Sequence, residues 1–447
     1  MPSKAVYDRG TSRSSYLRRE SILRLNRAAA IGLLLSALAY GAAACGNDKG
    51  SSAGTTTSAG AAAAPTGGTL IVRSSLPLQG AQRPQTTDMV NGIKLALKEA
   101  GDKAGPFTVK YLSKDDSSAQ AGTWTAENVS ANARAAAQDD KTVAVIGEFN
   151  SGASAISIPI LSDAKLPQIS PANTAVGLTS NEPGAEPGTP DKYYPSGFRN
   201  YVRIVPKDTI QGAALATIMK KDGCQKVAMA NDKEVYGAGL ARNIEISAKT
   251  QSLNIIFNEG IDPKAPNYRS LASRAKSQGA DCFVYSGITS NNGVQIYKDF
   301  EAALPNAKLY GPDGVAESGF FDPKEGGIPA DVAKKVKLTV ATLSADSYGE
   351  AGKKFFDDFA KEYGDKNPNP YSIYGYEAMS LALDAIERSK TGKREDIVKA
   401  LFATKDRDSP LGKYSIDKNG DTTLTDYGVY KVEDGQQVFL ETVKAQT

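Results

Sequence analysis

The stretch VAVIGEFNSGAS, residues 143–154, runs four apolar residues into Gly147 and then presents Asn150, Ser151 and Ser154 among glycine and alanine. An apolar strand ending on small residues before a helix leaves backbone N–H groups unpaired at the positive end of the helix dipole. That arrangement favours a carboxylate or another small anion near Ser151. The same residues also suit a helix cap with nothing bound. The chain contains no histidine, so no Ser-His-Asp or Cys-His nucleophile system and no His-ligated metal site can be built. Lysine or carboxylate acid–base chemistry stays open.

Holding Ser151 at the end of a strand requires a layered scaffold, and the patterning supplies one. From residue 69, TLIVRSS reads as a strand, and TTDMVNGIKLALKEAG as a helix with Met89, Ile93, Leu97 and Ala100 on one face. FTVKYLSKDD is a strand, followed by an Ala-rich helical stretch through Trp124 and Val129. VAVIGEF, a helix over about 154–164 and the strand PQIS continue the series. Strict alternation implies right-handed crossovers and parallel sheets covered on both faces. A Pro/Gly-rich insertion, NEPGAEPGTPDKYYPSG, interrupts the alternation, which restarts at VAMAND and runs to KLYGPDG. Two such series in 447 residues predict two α/β domains. A helical pair, EAGKKFFDDFAKEYG and PYSIYGYEAMSLALDAIERS, then precedes a hairpin-like tail that turns at Asp434-Gly435. In open parallel sheets ligands bind beyond the carboxyl ends of the strands, which is where Ser151 falls.

Composition narrows the function further. With 40% apolar and 23% charged residues the chain reads as a soluble globular protein. The net charge of +3 comes from the first 44 residues, whose seven basic and two acidic side chains carry +5 and leave −2 for the rest. A slightly acidic body with one tryptophan argues against a nucleic-acid partner. YGAGLA lacks the third glycine of a dinucleotide fingerprint. DKNGD, from Asp417, lacks the spacing and terminal glutamate of a calcium loop and reads as a turn. No cofactor and no metal site is expected.

The N-terminus reads as an address. A basic region is followed by AAAIGLLLSALAYGAAAC, whose apolar core is too short to span a bilayer comfortably and ends in small residues. Residues 1–44 are expected to be a secretory signal peptide. Ala42, Ala43, Ala44 and Cys45 resemble a bacterial lipobox, with Ala42 where leucine is usual, so Cys45 would be acylated; the alternative is ordinary cleavage after Ala44. Residues 45–68 read as a disordered tether, which has a purpose only if its far end is held. Arg18 and Arg19 lack the apolar residue expected soon after a twin-arginine signal. Cys224 and Cys282 each precede an apolar strand-like run. In an oxidising compartment they would pair and contribute on the order of 4 kcal/mol; the alternative is two buried free thiols.

LPQISPANTAVGLTS (166–180), DKEVYGAGLAR (232–242), YSGITSNNG and LYGPDGVAES follow in an order that strongly resembles the branched-chain amino-acid binding family, the solute-binding proteins of ABC importers with the type I periplasmic-binding-protein fold. The resemblance runs from Thr69 to the C-terminus and includes SPLGKYSIDKNGD. It implies two lobes, 69–205 plus 343–425 and 206–342 plus 426–447, joined by crossings near Val205, Leu343 and Asp426. It implies that Ser151, Ala172 and Thr174 bind the ligand carboxylate, that Asp313 accepts the ammonium, and that Tyr236 closes over the ligand. Without the resemblance, Asp313 reads as a turn residue in PDG and Tyr236 as a half-buried aromatic. Opposed charges would select a zwitterion, and a lone anion would leave Asp313 unpaired. Ile288 and Gln85 stand where the family carries aromatics. Tyr371 and Tyr374 are either replacement wall or helix packing. The resemblance further implies a monomer that catalyses nothing, anchored by lipid on the outer face of a bacterial cell membrane or periplasmic, handing a small-molecule ligand to a membrane permease. A same-fold receptor for amides, urea or aromatic acids, or a sensor domain, is the alternative.

Overall fold

The computed structural model describes residues 67–444. Cys45, the segment 1–44 and all of the expected tether except Gly67 and Gly68 lie outside the described residues. In chain order the strands are β1 (Thr69–Leu76), β2 (Lys103–Ala104), β3 (Phe107–Asp115), the short pair β4 (Ser117–Ser118) and β5 (Thr123–Trp124), β6 (Thr142–Gly147), β7 (Gln168–Ser170) and β8 (Tyr201–Arg203). They continue with β9 (Val227–Asn231), β10 (Ile255–Gly260), β11 (Cys282–Ser286), β12 (Lys308–Gly311), β13 (Val336–Val340), β14 (Asp426–Glu433) and β15 (Gln436–Lys444). The helices are α1 (Arg83–Glu99), α2 (Ala126–Gln138), α3 (Ser151–Asp163), α4 (Asp208–Lys221), α5 (Val235–Thr250), α6 (Arg269–Ser277) and α7 (Val294–Ala303), then α8 (Ser318–Phe321), α9 (Ala330–Ala333), α10 (Glu350–Tyr363), α11 (Ser372–Ser389) and α12 (Arg394–Phe402).

Two sheets organise these elements. The first has the order β2-β3-β1-β6-β7-β8 and the second β10-β9-β11-β12-β13-β14-β15. The inner strands β6, β9 and β11 are buried at every residue, the burial that near-continuous apolar runs in a parallel sheet predict. Within these two sheets all pairings are parallel except the β2 edge and the β13-β14-β15 end, and the separate β4–β5 pair is antiparallel. The chain crosses between the sheets three times: after β8, after β13 into helices that pack on the first sheet's side, and back into β14. The β14–β15 hairpin turns at Asp434 (φ 51°) and Gly435 (φ 75°), the two positive values that a type I′ turn needs.

Local deviations from the sequence reading have local causes. Trp124 is in β5 and not helical, because Thr125 caps α2 by accepting from the Asn128 N–H at 3.2 Å and so starts the helix at Ala126. Met89, Ile93 and Leu97 are buried as one stripe, but Ala100 is exposed just past the end of α1, where Gly101 and Asp102 both take positive φ. α3 begins at Ser151, half a turn or more earlier than expected. α1 and α11 pack backbone to backbone: a Cβ on Gly92 would lie 2.2 Å from the Ser372 carbonyl oxygen, and one on Gly375 would lie 2.2 Å from that of Met89.

Cys224 and Cys282 form a disulfide with Cα atoms 5.8 Å apart, joining the segment before β9 to the start of the neighbouring β11 across 58 residues. A cross-link closing a loop of that length removes chain entropy from the unfolded state worth about 4 kcal/mol. Reduction, or the double substitution C224S/C282S, is expected to lower the unfolding free energy by about that amount, read as a lower denaturant midpoint, with the m-value rising as the unfolded chain loses its cross-link. An unchanged midpoint would show that the bridge constrains nothing in the unfolded chain.

Candidate ligand-binding site

Leaving aside the edge strand β2 and the terminal hairpin, both sheets repeat the same order, in which the second strand in sequence lies outside the first and the later ones continue on its other side. Each sheet therefore has a switch point, between β1 and β6 in the first and between β9 and β11 in the second, where successive loops diverge and open a crevice. The loops after β6, β7, β9, β11 and β12 converge on one cavity. It is lined by Phe149, Asn150, Ser151, Ala172, Thr174, Tyr236, Ile288, Asp313 and Gly314.

On the first sheet's side, hydrogen bonds fix two loops against each other. Ser154 Oγ donates to Asn173 Oδ1, Ser170 Oγ donates to the Glu148 carbonyl at 2.9 Å, and Asn173 Nδ2 donates to the Phe149 carbonyl at 2.8 Å. Ser151 Oγ accepts from the Ala175 N–H at 3.3 Å, which ties the residues around Ala172 and Thr174 to the start of α3. The first intrahelical bond runs from the Ser154 N–H to the Asn150 carbonyl, so the N–H groups of Ser151, Gly152 and Ala153 have no partner within the helix. Asn150 Oδ1 is buried without a partner as well. Gly152 is glycine for lack of room: a Cβ there would lie 2.8 Å from the Trp124 ring and 3.0 Å from the Glu234 carboxylate of the other lobe.

On the second sheet's side, buried Asp232 accepts from the N–H groups of Ile288 (3.1 Å) and Glu234 (3.0 Å) and from Asn291 Nδ2 (3.0 Å). It thereby locks the loop carrying Ile288 to the one leading into Tyr236. Asp313 follows β12 and is 8% exposed. Its Oδ1 accepts from Tyr236 Oη at 2.7 Å and Gln211 Nε2 at 2.5 Å, and its Oδ2 from Tyr371 Oη at 2.7 Å. Burial pushes its pKa up while these three donors pull it down. Asp208, at the start of α4, has both carboxylate oxygens buried without a partner, and burial pushes it up to about 7.

Six of the seven ligand-site residues expected from the sequence line this cavity. Gln85 does not. It lies on the stripe of α1 that carries Met89 and Gly92 and packs on α11, and it is buried there. Tyr371 touches Asp313 and packs edge-on against Phe149 at 6.0 Å, whereas Tyr374 donates to the Ala341 carbonyl at 2.9 Å, away from the cavity. One expectation is corrected: without an ammonium Asp313 is not left unpaired, because two phenols and an amide already serve it. Sequence reasoning missed Gln211 and Asp208, which stand in a helix with no motif. It also missed Phe149, and it noted Asn150 beside Ser151 without assigning it to the site, although both line the cavity.

Two outcomes follow from this geometry. Tyr371→Phe removes one donor from a buried carboxylate and is expected to destabilise the folded protein by about 1–3 kcal/mol, read from denaturant unfolding. Asp208 has a folded-state pKa raised from 3.8 to about 7, so its contribution is most favourable below the unfolded value and is lost as pH rises towards the folded one. Wild type should therefore lose stability relative to Asp208→Asn between pH 3.8 and about 7, and the difference should level off above. Asp232, Glu317 and Glu148 are pushed to about 7 by the same cause and cancel in that difference. A flat difference across this window would show that Asp208 titrates normally.

A family model for periplasmic binding proteins matches residues 74–437. The Leu/Ile/Val-binding protein BraC3 of Rhizobium johnstonii is 24% identical over 375 residues, covering 82% of this chain and 92% of its own length. The leucine-specific-binding protein of Salmonella typhimurium is 25% identical over 297 residues, covering 64% and 71%. Among solved structures, the leucine binding protein LivK of Thermotoga maritima superposes with a TM-score of 0.72 at 22% identity, covering 84% of this chain and 99% of that one. An ABC-transporter solute binding protein of Rhodopseudomonas palustris, in complex with p-hydroxybenzoic acid, gives 0.69 at 20% identity, covering 85% and 98%. The family match takes in every loop that lines the cavity, and the chain therefore belongs to the periplasmic binding protein family, with the two-lobed type I fold of a solute-binding protein and not an enzyme.

Proposed function

We propose that this chain is the extracytoplasmic solute-binding component of an ABC importer, taking an amino acid, branched-chain or related, into the interlobe cavity and presenting it to a membrane permease. One observation carries the reading. The cavity sets the unpaired N–H groups at the start of α3 and the hydroxyls of Ser151 and Thr174 on one lobe against the buried carboxylate of Asp313 on the other. An α-carboxylate suits the first and an ammonium the second, since a carboxylate has acceptor capacity beyond the three donors it already has. The lobes are taken as 69–205 plus 343–425 and 206–342 plus 426–447, with an acylated Cys45 holding a monomer at the outer face of the membrane. Among the described residues no helix is long and apolar enough to cross a membrane.

A second reading keeps the importer and changes the solute to an aromatic acid or an amide. It is favoured by the donors already on Asp313, which make an ammonium dispensable, and by the fold shared with a p-hydroxybenzoic acid complex. Thermal-shift screening of the purified body against the proteinogenic amino acids and their decarboxylated and deaminated analogues separates the two. Ligand at a hundred times its Kd stabilises the folded state by about 2.7 kcal/mol, a readable shift. An amino acid is expected to shift the melt while both analogues fail, and Asp313→Asn should weaken that amino acid roughly 10- to 100-fold. Stabilisation by aromatic acids or amides alone would overturn the amino-acid reading.

A further inference from the structure

Beside the cavity, and outside its lining, two acidic side chains are buried against each other. Asp116 follows β3 and Glu148 follows β6, the strands on either side of β1, and they are 0% and 1% exposed. The register sets Leu76 opposite Asp115 and Ser75 opposite Gly147, so the two carboxyls come together over the end of β1, within hydrogen-bonding reach of each other. As carboxylates both can only accept, and Asp116 Oδ1, Asp116 Oδ2 and Glu148 Oε2 accordingly have no donor. One proton between them turns two repelling acceptors into a donor and an acceptor, and a hydrogen bond to an ionised carboxylate is among the strong ones.

The neighbouring elements supply no cation in place of that proton. β6, β7 and α3 carry no lysine or arginine. Arg73 of β1 is engaged with Asp139 and Thr142, and Arg203 of β8 with Asp421. Lys110 and Lys114 of β3 and Glu127 and Arg134 of α2 are exposed. The titratable groups that do reach the pair are the Tyr201 phenol and Asp115. Against the push of burial, the hydroxyl and N–H of Ser117, the Leu78 N–H and Gln79 Nε2 hold the Asp115 carboxyl below the usual carboxylate range, so it stays charged. Burial lifts Glu148 to about 7, and burial with the adjacent Glu148 and Asp115 charges lifts Asp116 well above its usual range. Asp116 is therefore the donor of the pair.

The backbone around the pair leads to the cavity wall. The Glu148 N–H donates to Ser154 Oγ at 3.2 Å and its carbonyl accepts from Ser170 Oγ at 2.9 Å, and the lining residues Phe149, Asn150 and Ser151 come next. The Asp116 N–H donates to the Leu76 carbonyl at 3.2 Å, and its own carbonyl accepts at 2.9 Å from the N–H of Thr125, the neighbour of Trp124 whose ring meets Gly152. We propose that Asp116 and Glu148 share one proton, and that this O–H···O bond clamps the loop after β3 to the loop after β6 and so positions Phe149, Asn150 and Ser151 in the cavity wall. Losing the proton would set two buried carboxylates against each other and part the loops. The clamp acts through the wall and touches no solute, so it holds whichever solute the cavity takes.

The test is urea unfolding of the purified protein from neutral into alkaline pH, wild type against Asp116→Asn. The asparagine amide offers Glu148 an N–H that does not titrate, so D116N keeps a bond and loses the proton. Above about pH 7 the folded wild type holds a proton that the unfolded chain has given up, and its unfolding constant should climb relative to that of D116N by about tenfold per pH unit. Asp208, Asp232 and Glu317 are common to both proteins and cancel. Where the climb levels off the proton has left the fold. There the emission of Trp124, the single tryptophan of the chain, should shift in wild type beyond any change in D116N, a comparison that removes the titration of Glu234, the other acid against Gly152. Glu148→Gln places the amide on the other strand, should behave likewise, and serves should D116N fail to fold. A ratio constant from pH 7 upward would show Asp116 ionised in the folded protein and overturn the shared proton. A levelling with no shift at Trp124 would overturn the clamp, since the proton would then position nothing.

Discussion

A carboxylate at the floor of an interlobe cavity, 8% exposed, is the constraint around which this molecule is arranged. Burying such a charge is costly unless donors surround it. For Asp313 the donors come from three separate elements: Tyr236 from α5, Gln211 from α4 and Tyr371 from the start of α11. The first two belong to the lobe built on the second sheet. The third arrives from helices that pack on the first. The carboxylate is thus satisfied in full only when the lobes meet, and the hydrogen bond from Tyr371 makes interlobe contact part of its solvation.

A buried cation organises the first lobe in a complementary way. Arg203 is 0% exposed and donates to Asp421 at 2.7 Å, to the carbonyls of Asn173 and Ala175, and to Thr179 Oγ1 at 2.5 Å. Removing one partner of a buried pair strands the other charge at a cost of about 3–5 kcal/mol. Here the effect would be felt directly at the loop carrying Thr174. Lys207, where the chain first leaves this lobe, joins the same network through Asp421 and Glu182. The loop carrying Thr174 is therefore held by the region where the chain passes from the first sheet to the second.

How far the sequence reveals this depends on the range of the interaction. Strands such as β6 and β9 are legible because full burial demands an unbroken apolar run, and the cavity loops are legible because they must follow those strands. The β14–β15 turn is legible because only Asp-Gly and its like tolerate two positive φ values in succession. What escapes the sequence is set by partners far along the chain. Gln211 meets Asp313 across 102 residues, and Arg203 meets Asp421 across 218. No local pattern marks Gln211 or Arg203. Gln85 shows a subtler failure: its place in the chain suggested a cavity wall, but the helical stripe it shares with Met89 and Gly92 turns it toward α11.

The Pro/Gly-rich insertion breaks the strand–helix alternation and yet takes part in holding the lobes together. Its Gly184 carbonyl accepts from Arg242 Nε of α5 at 3.0 Å, while its Glu182 pairs with Lys207. These contacts join the lobes, together with the approach of Glu234 to the start of α3 and the Tyr371–Asp313 bond. Bonds of this kind contribute on the order of 1 kcal/mol each. Moving a two-state closure from 1:99 to 99:1 takes about 5.5 kcal/mol of differential affinity. A few such contacts are therefore too weak to fix a closure on their own, and under the proposed function a ligand that engaged both α3 and Asp313 would supply the remainder. A solute that touched only one lobe would have no preference between the open and closed forms, however tightly it bound, and would not drive closure.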